Sequence, residues 1–521
     1  PVIAVIVRLI LALNKVHFLC FYRIHFMKQK PTAYFPNLVL EEGSISSQVY
    51  YAVRKAILEG VLSPGSRLPS SRTLAEMMSI SRNSVIAGFE RLIDEGYLFT
   101  RRGSGTFVTN TIPDSIHSNQ WVKTTLPTSS LHIDNELGTL NPNLQKMHAF
   151  WQQSQLNTNS RFMFHVGVGC IDLFPHELWG RLLGRVWRHS KKELATFNSP
   201  TGYTPLKKMI CQYAQSTRGL NCQPEQVIIV NGTQQAINLA TRVLLQEEDT
   251  AWLDDPGYDS ARAIFTSYGI KIHPVRSDSD GMDISQAIDQ CPQAKLVFTT
   301  PSHQFPLGNT LSLSRRIALL EWASSNNMWI FEDDYNSEFR YHTKPIQALQ
   351  GLDKHQRVIY AGTFSKMMYP GFRLGFLVVP PSLIDSFKVA KYYTDSHSGF
   401  LEQATLALFI SQGHYARHVR RIRKACYERY LTLTNTIKKY LSHIFRIEPT
   451  DSGIHIVCWL QSGYTEEYIV KEGRKIGLAI QPLSRYCIQS YPKQGILLGY
   501  ASHHPSEIEK NIILLSQALS K

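Results

Sequence analysis

A lysine placed between two strand-like apolar runs constrains this chain more than any other feature. Val358-Ile359-Tyr360-Ala361-Gly362 leads into Thr363-Phe364-Ser365-Lys366-Met367-Met368-Tyr369-Pro370-Gly371-Phe372-Arg373-Leu374-Gly375, and Phe376-Leu377-Val378-Val379 follows directly. Both flanks read as buried strands. A lysine at the end of such a strand is costly unless it has a task. Burial lowers its pKa and makes the amine a nucleophile that condenses with an aldehyde. Thr363, Ser365 and Arg373 bracket it with two hydroxyls and a planar cationic fork, a set that suits a phosphate. An aldehyde beside a phosphate suggests pyridoxal 5′-phosphate (PLP). Taken alone, a Ser-Lys pair in a Gly-containing loop is also what a solvated turn looks like.

Upstream residues narrow the choice. PLP needs an acid beneath its ring nitrogen to act as an electron sink. Trp329-Ile330-Phe331-Glu332-Asp333-Asp334-Tyr335 supplies carboxylates at the end of another apolar strand, about one strand-helix-strand unit before Lys366. Asp333 is the expected acid, and Tyr335 can hydrogen-bond the ring's phenolic oxygen. Val227-Ile228-Ile229-Val230 turns through Asn231-Gly232-Thr233-Gln234-Gln235 into a helix start, where free backbone N–H groups can hold a phosphate. Trp252-Leu253-Asp254-Asp255-Pro256-Gly257-Tyr258 ends a short strand and offers Tyr258 for stacking on a ring.

In this order, the four pieces resemble the class I aminotransferase fold, fold type I of the PLP-dependent enzymes. With Pro301-Ser302-His303-Gln304-Phe305-Pro306-Leu307-Gly308 added, the stretches resemble the aminotransferase-like half of the MocR subfamily of GntR transcription regulators. The resemblance runs from about residue 43 onward. It implies an α/β domain with a mostly parallel central sheet, a small C-terminal α+β subdomain and PLP bound to Lys366 as an internal aldimine. The implied cofactor shell is Lys366, Asp333, Tyr335, Tyr258, Gly232, Thr233, Gln234, Thr363, Ser365 and Arg373. Tyr203, in Gly202-Tyr203-Thr204-Pro205, is a candidate to serve a neighbouring subunit's site. The resemblance also implies a homodimer and an amine or amino-acid effector.

Such a chain must carry a winged helix-turn-helix near its N-terminus. Val49, Val53 and Ile57 share a helical face. Leu68-Pro69-Ser70-Ser71-Arg72 opens a second helix, Ser79-Ile80-Ser81 breaks it, and Arg82-Asn83-Ser84-Val85 opens a third. The third helix is the one expected to enter the major groove by its N-terminal end. Tyr97 to Val108 reads as a hairpin wing with a Gly-Ser-Gly tip and paired arginines, able to approach a DNA backbone or minor groove. Expected DNA contacts are Arg72, Ser81, Arg82, Asn83, Ser84, Arg101, Arg102, Gly103 and Gly105. The formal net charge of +14 is compatible with double-stranded DNA as a partner.

Residues 1–42 are expected to be a leader outside the fold. Val2 to Leu13 is apolar but broken by Arg8 and too short to span a membrane, and Met27 looks like a more natural start. Residues 43–110 form the expected winged helix. Residues 111–160, rich in Ser, Thr, Asn and Gln, are the expected linker, and 161–521 the effector domain. From about Lys388 a long basic helical stretch is expected, with Arg417 to Arg423 on a solvated face. The eight cysteines are scattered without metal-type spacing, which points to reduced thiols in the cytoplasm and to no metal site.

The sequence departs from a working aminotransferase in two places. The late arginine that grips a substrate carboxylate is absent from Gly495-Ile496-Leu497-Leu498-Gly499-Tyr500, leaving Arg485 and Arg262 as substitutes for an effector carboxylate. The asparagine that usually precedes the Pro-x-Gly turn is Phe305, with His303 or Gln304 nearby. Both departures favour a regulator over an efficient transaminase. The alternative is an active aminotransferase with an appended DNA-binding domain.

Overall fold

The computed structural model describes residues 44–110, 141–155, 163–343 and 346–520. The expected leader, and residues 111–140 and 156–160 of the expected linker, lie outside the described residues. The chain divides into two compact units, 1–133 and 134–521.

In the first unit, helices Ile45–Leu58, Ser71–Met78 and Arg82–Asp94 precede a hairpin of β1 (Leu98–Arg101) and β2 (Gly105–Val108). A serine caps each helix: Ser44, Ser70 and Ser81 accept the N–H of Ser47, Thr73 and Ser84. Ser79 in the left-handed region ends the second helix and makes the tight turn. Val49, Val53, Ile57, Leu74, Val85, Phe89 and Leu92 fill the core, as the helical spacing requires. Gly88 lets the first and third helices touch, because a Cβ there would lie 3.0 Å from Val49.

The second unit is built on an eight-stranded sheet of order β3-β10-β9-β8-β7-β4-β5-β6. Its strands are β3 (Val227–Val230), β4 (Thr250–Asp255), β5 (Lys271–Asp278), β6 (Gly281–Met282), β7 (Leu296–Thr299), β8 (Trp329–Asp334), β9 (Val358–Thr363) and β10 (Gly375–Val378). β5, β4, β7, β8 and β9 run parallel, and β10 lies antiparallel to both its neighbours. Helices cover the parallel strands, so β3, β7 and β9 are buried along their whole length. Asp333 pairs in register with Ala361 and Asp334 with Gly362, so the ends of β8 and β9 open on the same edge. That edge is where α/β sheets place ligands.

Helices Ile384–Asp395, Phe400–Ser411 and His414–Tyr440 then lead to a smaller antiparallel sheet of order β11-β12-β14-β13. Its strands are β11 (Phe445–Ile447), β12 (His455–Leu460), β13 (Gln481–Pro482) and β14 (Gly495–Gly499). The expected single helical stretch from Lys388 is thus three helices, broken at Ser396–Gly399 and at Gln412–Gly413. Within the expected linker, Pro142–Gln155 is helical and packs on the helix Asp259–Ser267, with Arg262 lying 4.7 Å from the centre of the Phe150 ring. Leu144, Met147 and Trp151 sit at helical spacing inside that Gln- and Asn-rich run, which masked the signal. Among the described residues no helix is long and apolar enough to cross a membrane, and no cluster of metal-ligating side chains occurs.

Candidate functional site

Strand alternation sorts the three consecutive carboxylates at the end of β8. Glu332 accepts the N–H groups of Leu349 and Gln350. Asp334 accepts from Arg218 Nε and from the Tyr360 hydroxyl, each at 2.6 Å. Asp334 is tied through Oδ2 and leaves its buried Oδ1 without a partner, and Asp333 between them also has a buried Oδ1 without a hydrogen-bond partner. Burial pushes its carboxyl up to about 7, Asp334 adds to the rise, and Lys366 opposes it. A buried acid with one open oxygen and a cation in electrostatic reach is suited to a protonated ring nitrogen.

Lys366 follows β9, and its Nζ donates to the Gly167 carbonyl at 2.8 Å. Burial lowers its pKa; Asp333 counters this and Arg373 reinforces it. The lowered pKa favours the free amine that a nucleophile requires. The strap around Gly167 runs very close to the lysine backbone, since a Cβ on Gly169 would stand 1.9 Å from the Lys366 carbonyl oxygen.

The turn after β3 lies beside this lysine loop. Gly232 holds φ +97° and precedes the helix Thr233–Leu244, so Thr233 and Gln234 sit in its first turn with N–H groups that have no partner inside the helix. The Arg373 guanidinium rests against the turn, 3.4 Å from where a Gly232 Cβ would be. Thr363 Oγ1 accepts the Ser365 N–H at 3.2 Å, and the buried Ser365 Oγ has no partner. A network behind the turn fixes it. Gln235 Oε1 accepts the Asn231 N–H, the Asn231 and Gln235 amides both donate to Asp395 Oδ2, and Asp395 Oδ1 pairs with the fully buried Lys391 at 2.5 Å. The expected phosphate residues are therefore assembled together.

Tyr335 is buried with a partnerless hydroxyl. Tyr258 stacks near Phe298 (6.3 Å) and meets Phe305 edge-on (5.9 Å). Burial raises its phenol to about 12, which keeps it neutral. An open acid, an unpaired phenol, a depressed lysine and a donor-rich Gly turn with an orphan serine hydroxyl fit PLP, whose ring, oxygen, aldehyde and phosphate need these groups.

Other expected residues are placed differently. Arg485 pairs with Asp259 at 2.9 Å, and Arg262 donates to the Cys487 carbonyl at 3.1 Å. The Arg485 guanidinium is thus engaged by a carboxylate, whereas Arg262 keeps a buried Nε without a partner. Gln304 braces its own loop through the Pro256 and Phe305 carbonyls and the Leu307 N–H. His303 instead faces Tyr335, with ring centres 6.1 Å apart. Tyr203 packs edge-on against Phe400 at 5.2 Å. Sequence reasoning missed Gly167, Gly169 and His455; the Gly167-Val168-Gly169 spacing was the one available hint.

In the small unit, Arg82 and Asn83 are exposed at the start of the third helix, and Ser84 is half-buried. Ser81 caps that helix. Arg72 makes an exposed pair with Glu76 at 3.2 Å, a contact worth little in water. Arg102 and Gly103 form the wing tip. Arg101 lies along the wing over the rings of Phe99 and Phe107, at 5.3 and 5.5 Å. Arg67, missed from sequence, reaches the wing: a Cβ on Gly105 would lie 3.0 Å from its Nε.

Known proteins match both units. The family of bacterial regulatory proteins of the gntR type matches residues 45–108, and aminotransferase class I and II matches residues 177–487. The chain is 37% identical over 471 residues to the probable rhizopine catabolism regulatory protein MocR of Rhizobium meliloti, covering 90% of this chain and 93% of that one. It is 28% identical to the HTH-type pyridoxine biosynthesis transcriptional regulator PdxR of Corynebacterium glutamicum, over 92% of this chain and 97% of that one. Among solved structures it is similar to kynurenine aminotransferase of Pyrococcus horikoshii (TM-score 0.65, 25% identity, 71% of this chain and 94% of that one). The α-aminoadipate aminotransferase LysN of Thermus thermophilus shares the fold (TM-score 0.66, 23% identity, 72% and 96%). With a GntR winged helix and a class I/II aminotransferase domain in one chain, alignable almost end to end with MocR, this protein belongs to the MocR subfamily of GntR transcription regulators.

Proposed function

We propose that this regulator holds PLP on Lys366 and reads the arrival of PLP, or of a small amine or amino acid that reacts with it, as a signal to its DNA-binding unit. The observation that carries the reading is the set of buried atoms without partners around the lysine: Asp333 Oδ1, Tyr335 OH and Ser365 Oγ. Unpaired buried polar atoms cost about 1–3 kcal/mol each, so three of them beside one depressed lysine favour a polar ligand. Bound PLP supplies an electrophilic carbon for amines and an electron sink. Lys366 provides the amine that anchors it, Asp333 holds a proton on the ring nitrogen, Tyr335 donates to the ring oxygen, and the Gly232 turn with Ser365, Thr363 and Arg373 binds the phosphate.

On the DNA side, the N-terminal end of Arg82–Asp94 meets bases and phosphates of a double-stranded operator, and Arg102 at the wing contacts the backbone. Two half-sites call for two winged helices, so the working form is a homodimer in the cytoplasm. Signalling requires that the ligand favour one of two arrangements of the dimer. Transamination is the second reading, supported by the assembled cofactor residues. It is opposed by β14, where the carboxylate arginine is replaced and Tyr500 is buried and bonded to the Tyr341 hydroxyl and the Gly453 carbonyl. The test is borohydride reduction of the PLP-treated protein followed by peptide mass spectrometry. A phosphopyridoxyl group on Lys366, absent in Lys366→Ala, is expected; an unlabelled Lys366 overturns the reading. Multiple turnovers with amino acids and 2-oxo acids would replace the regulator with the enzyme.

A further inference from the structure

We propose that the large unit carries a second surface for double-stranded DNA, made from the basic faces of two adjoining helices, which holds phosphate backbone outside the stretch that the winged helix reads. This rests on the winged helix binding duplex DNA and not on PLP at Lys366. In the helix His414–Tyr440, Tyr415, His418, Val419, Ile422 and Cys426 turn inward. Helical periodicity then gathers Arg417, Arg420, Arg421 and Lys424 on the outer face, at i, i+3, i+4 and i+7, and all four are exposed. Arg423 leaves the group expected from sequence, because it is half-buried and donates to the Glu338 carbonyl at 3.0 Å. Arg181, Arg185 and Arg188 repeat the pattern on the helix His176–His189, whose Trp179, Leu182 and Val186 face the core.

The two faces adjoin. Trp179 meets Phe409 edge-on at 5.8 Å, and Phe409 stacks on His414 at 5.7 Å. Arg421 donates to the Leu173 carbonyl, just ahead of His176–His189. Arg417 donates to His414 Nδ1 at 2.8 Å, and Arg181 lies in electrostatic reach of the same imidazole, whose pKa is lowered by burial, Arg417 and Arg181. Among the described residues none of these seven cations has a carboxylate at ion-pair distance, whereas the exposed Arg72 and Arg91 are paired with Glu76 and Glu95. Arg417 and Arg421, Arg420 and Lys424, and Arg181 and Arg185 are like charges four residues apart, which destabilises the helices that carry them. A polyanion removes that repulsion. Each stripe runs about 10 Å along its helix, a length over which a duplex carries about six phosphate charges. Six of the seven cations are arginine, whose planar fork suits phosphate. Both units belong to one polypeptide, so a duplex held by the first meets this surface at a high effective concentration. An acidic protein has no such tether.

The test uses the full-length protein carrying Arg181→Gln, Arg185→Gln, Arg420→Gln and Lys424→Gln together. These four side chains are exposed and make no hydrogen bond or ion pair, so the fold does not depend on them. A control variant loses the same charge from exposed cations elsewhere, through Arg242→Gln, Lys295→Gln, Lys354→Gln and Lys510→Gln. Fluorescence anisotropy with a mixed-sequence duplex of about 60 base pairs gives the slope of log affinity against log salt between about 50 and about 200 mM. Each lost phosphate contact lowers that slope by about 0.9, so the fourfold variant is expected to lower it by about 2 to 4 and the control by less than about 1. Should the fourfold variant fail to fold, Arg420→Gln with Lys424→Gln is expected to lower the slope by about 2. A slope unchanged in the folded variant, or lowered no further than in the control, overturns the proposal. So does a change of oligomeric state in light scattering, which assigns the face to contact between copies of this chain. Capture of poly-glutamate by the wild type but not by the variant, with the DNA slope intact, overturns it in favour of an acidic protein. A wild type that binds no duplex fails the winged-helix reading as well; a slope lowered by Arg102→Ala but not by the fourfold variant fails this proposal alone.

Discussion

Gly169→Ala tests how closely the strap around Gly167 is fitted to the reactive lysine. The added methyl would stand 1.9 Å from the Lys366 carbonyl oxygen and 3.1 Å from its carbonyl carbon. Its neighbour is backbone, so no side-chain rotation relieves the clash, and strap or lysine loop must move by more than an ångström. Overpacking of this kind costs about 1–3 kcal/mol. If the displacement falls on the lysine loop, PLP affinity drops by about tenfold for each 1.4 kcal/mol. The assay is PLP titration of wild type and variant, followed by borohydride trapping, with calorimetry on the PLP-free proteins. Gly180→Ala is the control, because it lies inside the helix His176–His189 with open space around its Cβ position. That change should stabilise by about 0.5–1 kcal/mol through helix propensity and leave PLP binding alone. A Gly169→Ala protein with wild-type PLP affinity and wild-type melting temperature would refute the close packing of strap and lysine.

Asp333→Asn has a pH signature. In the PLP-free protein the Asp333 pKa is raised from 3.8 to about 7, so its stability contribution is complete below about pH 4 and is lost as pH rises through 7. The permanently neutral Asn variant should therefore gain melting temperature relative to wild type as pH rises from about 4 to about 7, while binding PLP more weakly; a constant difference across that range contradicts the buried-acid reading. Gln235→Met removes two hydrogen bonds that hold the turn after β3. It should weaken binding of PLP several-fold more than binding of pyridoxal, which lacks the phosphate, as competition titrations would show. Arg102→Ala should weaken DNA binding evenly across sequences and reduce the slope of log affinity against log salt by about 1, read by fluorescence anisotropy.

Local chemistry made much of the site legible. Lys366, Asp333 and the Gly232 turn each sit at the end of a strand whose apolar run announces it, and strand ends on one edge converge once the sheet is parallel. The winged helix was readable for a similar reason: serine caps and a Gly-Ser-Gly tip are short-range signals. What stayed hidden depends on distant partners. Arg485 looked available until Asp259 was found beside it, and His455 gave no sign of facing His303. Glu332 and Asp334 flank Asp333 in sequence, yet only folding reveals that they are occupied by backbone N–H groups and by Arg218.

The hydrogen bond from Lys366 to the Gly167 carbonyl has a thermodynamic consequence. Any reaction that changes the number of protons on Nζ changes what that carbonyl is offered, so the position of the strap and the chemical state of the lysine share one free energy. By linkage, whatever favours a displaced strap must favour the modified lysine by the same factor. The strap lies shortly after residue 160, where the expected linker ends. The lysine is thus a toll gate on that stretch of chain, and a force applied to the strap would be felt as a change in the amine's readiness to react.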